Sequence, residues 1–225
     1  MKVVLDSNIV IADFWMRSNS FKILFESAKQ EKIEIFIPEI VVDEIFNKYY
    51  QRLKKSETNI ESEITTYNKL TQGKKESEIT DTEIDKAIDK YKKHFKKVVS
   101  ENGIKILSYP ETEHKFLAKK AMLKLKPFNS NEKGYRDCLI WENIKNLLTE
   151  EDAVIALPEL VFLSNNHKDF VTSDNELHSD LISELENGLF DFKSVKVYPN
   201  LNEFNDKQVR LFFEQASTFE NKLRK

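Results

Sequence analysis

The chain has little of what several classes of protein require. Its 225 residues include one cysteine, Cys138, which excludes an internal disulfide and indicates a reducing compartment. Glycine occurs only 4 times, and there is no glycine-rich loop of the kind that cradles phosphates. No apolar run reaches the roughly 18 residues of a membrane span, and no signal segment is recognisable. We therefore expect a cytoplasmic protein that has no membrane partner.

The usual ligands of zinc are also sparse. The histidines are scattered without the spacing of a zinc site: His94, His114, His167 and His178. Cys138 is followed by Leu139-Ile140-Trp141, so a buried thiol is expected rather than a nucleophile. The formal net charge of −3 does not indicate nucleic-acid binding, although local basic patches can operate on a mildly acidic protein. Any catalytic chemistry is therefore expected from other side chains.

Acidic residues recur close to predicted strands. Short apolar runs predict about five strands of a mostly parallel sheet, at residues 1–5, 33–37, 104–107, 160–163 and 194–198. Asp6 directly follows the first run, and Asp169 comes soon after the fourth. Glu44 lies about two turns into a helix that Pro38 can start, and Asp137 lies in the first turn of a helix that opens at Gly134. Open α/β sheets hold their ligands at the carboxyl ends of the strands, so we expect these four acids at one edge.

Each acid also has an ordinary structural interpretation. Asp6 alone is more typical of a turn or a helix N-cap, and Glu44 alone is typical of a solvated helix face. Asp137 alone would suit the positive end of a helix, and Asp169 could be a loop acid. Four acids placed in sequence around one predicted sheet edge favour a common site.

The same residues resemble the motifs of a known family. Val3-Val4-Leu5-Asp6-Ser7-Asn8 looks like the opening of PIN-domain nucleases, and the segment from Pro38 to Glu44 resembles their second motif. Gly134-Tyr135-Arg136-Asp137 resembles the third motif, and the segment from Ser164 to Phe170 resembles the fourth. Asn166 stands where members of the family often carry an aspartate. The resemblance implies a PIN-like, Rossmann-like three-layer α/β fold and metal-dependent hydrolysis of phosphodiesters, most often endonucleolytic and on RNA.

Crowded carboxylates repel one another unless cations neutralise them, and ligands that are all oxygen suit Mg²⁺ or Mn²⁺. We hypothesise that such ions are held by Asp6, Glu44, Asp137 and Asp169, which are then also the catalytic residues. Hydrogen bonds from supporting side chains would orient these ligands. The candidates for that role are Ser7, Asn8, Ser164 and Asn166, and Asn166 could instead be a further ligand.

Basic residues form three sets. The first set (Lys48, Arg52, Lys54 and Lys55) and the second (Lys90, Lys92, Lys93, Lys96 and Lys97) are expected to be solvated helix surface. The third set leads into the helix that carries Asp137. Its members Lys126, Lys133 and Arg136 are candidates for contacts to substrate phosphates.

The domain organisation is expected to be simple. Residues 1–225 are predicted to form one PIN-like domain, with a helical hairpin inserted at residues 47–101, where apolar residues recur at helical spacing on both sides of a polar turn. Further helices are expected at residues 113–125, 175–186 and 204–223. The hairpin could grip a nucleic acid, a partner chain or a second copy of the protein.

Three functions remain open at this point. The first is an endoribonuclease with an RNA substrate, and the second is a structure-specific nuclease acting on DNA, with single-stranded DNA as a possible substrate. The third is a catalytically inactive PIN fold that binds RNA or protein. Toxin, defence effector and RNA-processing enzyme are equally compatible roles.

Overall fold

The computed structural model describes residues 1–77, 79–129, 133–148 and 158–210. Five parallel strands form one sheet, in the order β3-β2-β1-β4-β5. They are β1 (Lys2–Leu5), β2 (Glu34–Pro38), β3 (Lys105–Leu107), β4 (Leu160–Leu163) and β5 (Val195–Tyr198). The predicted α/β class and the parallel sheet are confirmed.

Eight α-helices accompany the strands within the described residues. They are α1 (Ser7–Ala12), α2 (Asn19–Lys29), α3 (Glu39–Thr71), α4 (Asp81–Glu101), α5 (His114–Met122), α6 (Tyr135–Leu147), α7 (Ser179–Asn187) and α8 (Leu201–Phe204). Short 3₁₀ turns lie at His167–Asp169 and Phe192–Ser194, and α8 continues into a π-helical turn at Asn205–Val209. None of these described helices combines the length and the apolar character that a membrane crossing would need.

The central strands are covered on both faces. Val3, Val4 and Leu5 of β1 have no exposed surface, although successive side chains of a strand point to opposite faces. All four residues of β4 are equally buried. Helices must therefore cover both sides of the sheet, which is the three-layer arrangement that near-continuous apolar strands predict.

The strand order creates a switch point between β1 and β4. The chain leaves β1 toward β2 and β3 on one side and later returns to β4 and β5 on the other. Open α/β sheets bind ligands in the crevice at the carboxyl ends of the strands where this reversal occurs. In the register of the two strands Leu5 pairs with Leu163, so Asp6 and Ser164 emerge side by side at that point.

Helices α3 and α4 form the long hairpin. Aromatic side chains fasten its base, with Tyr49 stacked on the buried Tyr91 at 4.0 Å and Phe14 of the α1–α2 connection packed edge-on against both rings. Tyr50 and Tyr67 lie on the exposed surface of α3. The aromatic residues at the base of the hairpin therefore pack against one another, while these two tyrosines face solvent.

Local differences from the predicted elements have simple physical causes. Pro38 ends β2 and caps α3 instead of occupying its first turn. Helix α7 begins at Ser179 and not near Asn175, because Asn175 has a φ of +62° and an antiparallel bridge joins Val171 to Leu177. The predicted terminal helix lies outside the described residues from residue 211 onward.

Candidate active site

Asp6 lies at the carboxyl end of the central strand and is almost fully buried, with 3% of its surface exposed. Its carboxylate caps helix α1 by accepting the backbone N–H of Ser7 at 2.6 Å. The other carboxylate oxygen accepts the amide of Asn8 at 2.6 Å and the hydroxyl of Ser164 at 2.5 Å. Asp6 is thus both the N-cap that its position suggested and a carboxylate held in a single orientation.

A chain of hydrogen bonds connects Asp6 to Asp137. The hydroxyl of Ser164 accepts the backbone N–H of Asn166 at 3.0 Å while it donates to Asp6. The side-chain amide of Asn166 donates to the carboxylate of Asp137 at 3.0 Å. The loop after β4 therefore holds one carboxylate from β1 and one from α6 in a fixed relation.

Glycine at the start of α6 contributes to this placement. Gly134 has a φ of +128°, which side chains other than glycine rarely adopt. A Cβ atom there would lie 2.5 Å from the backbone oxygen of Pro127. The close approach sets the start of the helix that carries Asp137 in its first turn.

The remaining two acids form ion pairs with predicted phosphate-binding residues. Glu44, on α3, pairs with the guanidinium of Arg136. Asp169 pairs with Lys126 at 3.0 Å, and Lys126 also reaches the backbone oxygen of Lys168. Two of the three predicted cations are therefore bound to the protein's own carboxylates.

Most of the candidate residues line one open cavity of about 710 Å³, which is called the acidic cavity after its carboxylates Asp6, Glu44 and Asp137. Its lining includes Asp6, Ser7, Asn8, Glu44, Arg136, Asp137 and Asn166. Asp169, Lys126 and Lys133 are not among the described residues that line it, and Lys133 is exposed. Asp169 is nevertheless close enough to Asp137 to affect its ionisation.

Helix α3 supplies the cavity with three cations that were expected to be ordinary helix surface. Lys48, Arg52 and Lys55 are exposed, as expected, but they line the cavity together with Glu44. The signal was present in the sequence, because these positions repeat at helical spacing from Glu44 and share its face of the helix. Lys54, from the same set, instead pairs with Glu57 and Asp81.

Both central carboxyl groups resist ionisation. Burial raises the pKa of Asp6 above its ordinary value, and the nearby Glu44 adds to the effect, while hydrogen bonds from Ser164 and Ser7 oppose it. Burial, then the charge of Asp6 and then that of Asp169, raise the pKa of Asp137 from 3.8 to about 7, against the Asn166 hydrogen bond and the charge of Arg136. A cation bound next to two carboxyl groups with raised pKa values would stabilise their charged forms.

The chemical type of the donor atoms suits a hard divalent ion. The donors are carboxylate and amide oxygens, and Mg²⁺ commonly uses one or two carboxylates, with water and substrate phosphate completing its shell. Within the described part of the chain, however, no three side chains of the histidine, cysteine, aspartate and glutamate types stand close enough to hold a metal together. Glu44 and Asp169 are instead paired with Arg136 and Lys126.

Comparison with known proteins identifies the family. No curated protein and no solved structure matches the chain. The model of the PIN domain matches residues 3–170, which include all four acidic positions. This family generally consists of nucleases, usually metal-dependent ones, that act on nucleic acids. The chain, with its parallel sheet and an acidic cavity at the carboxyl end of the central strand, belongs to the PIN-domain family.

Proposed function

We propose that the protein is a metal-dependent endoribonuclease. The observation that carries this proposal is a pair of carboxylates, Asp6 and Asp137, linked through one hydrogen-bonded loop inside a cavity rimmed by cations. Membership of the family supports the nuclease activity. The preference for RNA follows from the family resemblance of the four motifs.

Asp6 and Asp137 are proposed to hold Mg²⁺ or Mn²⁺, with Glu44, Asp169 and the oxygen of Asn166 as further ligands. When bound, the ion would supply an activated water and neutralise charge on the phosphate. Asp6 is suited to a fixed ligand because three hydrogen bonds already orient it. Asp137, half-buried and bound by Asn166, would complete the pair from the facing helix.

The cations are proposed to position the substrate backbone. Lys48, Arg52 and Lys55 line the same cavity as the acids, so they can attract phosphates and hold them beside the carboxylates. Arg136 is bound to Glu44 in the structure. A phosphate that draws Arg136 away would free Glu44, and substrate binding would then add a carboxylate to the site.

The shape of the site supports internal cleavage. The acidic cavity shares Asn8, Ala12 and Asn165 with a second depression near the start of α8, and it shares Glu44 and Arg136 with a third at the end of β3. A nucleic-acid strand could therefore continue on both sides of the carboxylates. An enzyme that removes terminal nucleotides would instead need a feature that stops the strand.

A circular single-stranded RNA tests the proposal directly, because only an endonuclease can open it. With Mg²⁺ or Mn²⁺ the wild-type protein should produce a linear product, and Asp6→Asn should abolish cleavage while the protein stays folded and keeps much of its RNA binding. Asp174→Asn, an exposed aspartate in the loop before α7, serves as the matched control and should cleave normally. Cleavage of a DNA circle in place of RNA would contradict the proposed substrate, and full activity of Asp6→Asn would contradict the proposed site.

A binding function without catalysis is the second candidate. The ion pairs of Glu44 and Asp169 favour it, because both acids are neutralised without a metal. Titration calorimetry separates the two functions. Binding of Mn²⁺ by the wild-type protein that is lost in Asp6→Asn supports the nuclease, and tight RNA binding with no Mn²⁺ binding supports the inactive module.

A further inference from the structure

A cavity of about 870 Å³ lies beside the acidic cavity, at the end of β3. The two cavities share Glu44 and Arg136, so the ion pair between these residues stands at their boundary. Besides the shared Glu44 and Arg136, the polar and aromatic residues that line this cavity at the end of β3 are Asp43, Asn47, Tyr109, Glu111, Thr112, His114 and Tyr135. Its volume lies within the range of small-molecule binding sites, which is about 300–1,000 Å³.

Two tyrosine rings distinguish this cavity. Tyr109 is 47% exposed and Tyr135 is 49% exposed, although aromatic rings of this size are usually covered in a folded core. The hydroxyl of Tyr109 donates to the carboxylate of Asp43 at 2.7 Å, which fixes the ring relative to α3. Asp43 precedes Glu44 in the sequence, so the ring is fixed to the turn of α3 that also carries Glu44.

We propose that this cavity binds the unpaired base of a nucleotide next to the cleaved phosphodiester. The proposal rests on the proposed nuclease function. An exposed aromatic face stacks on any base, because every base has a π-face, and single-stranded nucleic acids are commonly bound in this way. The side chains of Asn47, Thr112 and His114 can supply hydrogen bonds to the base edge.

The position of Arg136 supports a nucleotide as the occupant. The guanidinium lies between the tyrosine-lined cavity and the carboxylates, where the phosphate that joins two nucleotides would pass. Guanidinium groups bind phosphates in a bidentate manner. A base on Tyr109 and a phosphate on Arg136 would place the following phosphodiester at Asp6 and Asp137.

Binding of a short single-stranded RNA, measured with Ca²⁺ in place of Mg²⁺ to suppress cleavage, tests the proposal. Tyr109→Ala and Tyr135→Ala should each weaken binding about 5- to 100-fold, which is the usual effect of removing one stacking ring. Tyr109→Phe and Tyr135→Phe keep the ring and should bind within about threefold of the wild type. Tyr67→Ala is the matched control, since Tyr67 is also 47% exposed but lies on the hairpin.

A single abasic position, moved along the RNA, identifies the base that stacks. At one position the missing base should weaken binding to the wild type and have no further effect on Tyr109→Ala. A 2-aminopurine at that position should lose fluorescence on binding to the wild type. This measurement uses the wild-type protein alone, so it does not depend on the folding of a variant.

Three results would overturn the inference: equal binding by Tyr109→Ala and Tyr67→Ala, additive effects of the abasic position and the variant, or unchanged 2-aminopurine fluorescence at every position. If the wild type still cleaves RNA, only the base-binding inference fails. If the wild type neither binds nor cleaves RNA, the proposed function fails with it.

Discussion

Asp137→Asn should stabilise the metal-free protein above pH 7, although it is expected to abolish cleavage. The folded protein binds the Asp137 proton more tightly than the unfolded chain does, because the pKa of this carboxyl is raised from 3.8 to about 7. Folding therefore takes up a proton between these two pH values, and the free energy of unfolding falls as the pH rises through that window. An amide at this position has no charge to bury and can still accept the hydrogen bond from Asn166.

The size of the effect follows from the shift. Each pKa unit corresponds to about 1.4 kcal/mol, so the full penalty above pH 7 is on the order of 4 kcal/mol. For a chain of this size such a difference raises the melting temperature by roughly 8–16 °C. Below about pH 4 the carboxyl is protonated in both states, and the two proteins should have similar stability.

Thermal unfolding between pH 4 and pH 8.5, with and without Mn²⁺, measures this directly. At pH 8 Mn²⁺ should stabilise the wild type by about 2.7 kcal/mol at a hundredfold excess over its dissociation constant, and it should have little effect on Asp137→Asn. Asp174→Asn is the control and should follow the wild type throughout. If Asp137→Asn has the same pH dependence as the wild type, or is less stable than the wild type at pH 8 without metal, burial and the neighbouring carboxylates do not raise the pKa of Asp137 as described above.

Two further predictions concern the groups around the carboxylates. Lys48→Ala and Lys55→Ala should each weaken RNA binding and reduce the slope of log affinity against log salt concentration by roughly 0.7. Lys69→Ala, farther along α3, is the control and should leave the slope unchanged. Equal slopes for all three variants would contradict a phosphate-binding face. Gly134→Ala should lower both the melting temperature and kcat/KM, because it combines a φ of +128° with a backbone oxygen 2.5 Å from the new Cβ. Gly103 has a φ of +61°, but a Cβ there would meet no atom within 4 Å, so Gly103→Ala should lower the free energy of unfolding by only about 1 kcal/mol and leave kcat/KM unchanged. A smaller effect at Gly134 than at Gly103 would refute the role of Gly134 in placing Asp137.

Much of the fold was predictable from local patterns. The apolar runs have lengths and β-branched compositions typical of buried strands, and all five strands lie where these patterns place them. The prediction of Asp6 as a site residue required only its position directly after the first strand and the rule that ligands bind at the carboxyl ends of strands. The hydrogen bonds from Asn8 and Ser7 to Asp6 are local, since they arise within the first turn of α1.

Interactions between distant segments were harder to predict from the sequence. From their sequence positions Lys126 and Arg136 were candidates for contacts to phosphates, whereas the structure pairs them with Asp169 and Glu44. Lys48 and Lys55 were expected to be ordinary surface, because their place beside Asp6 depends on how α3 crosses the sheet edge. Ion pairs and shared cavities depend on side chains tens of residues apart, and no local pattern specifies which partner a charge will find.

Hydrophobic periodicity and short motifs act within a few residues of one another, so they were sufficient to predict the class of fold, the parallel strands and the family. The strand order, which places Ser164 beside Asp6 at the switch point, and the hydrogen bonds that extend from there to Asp137 are visible only in the folded protein. The fold also places Tyr109, after the edge strand β3, in the cavity that adjoins the acidic cavity. This difference arises because packing helices over both faces of one sheet brings its carboxyl strand ends to a common edge, where residues separated by more than a hundred positions become neighbours.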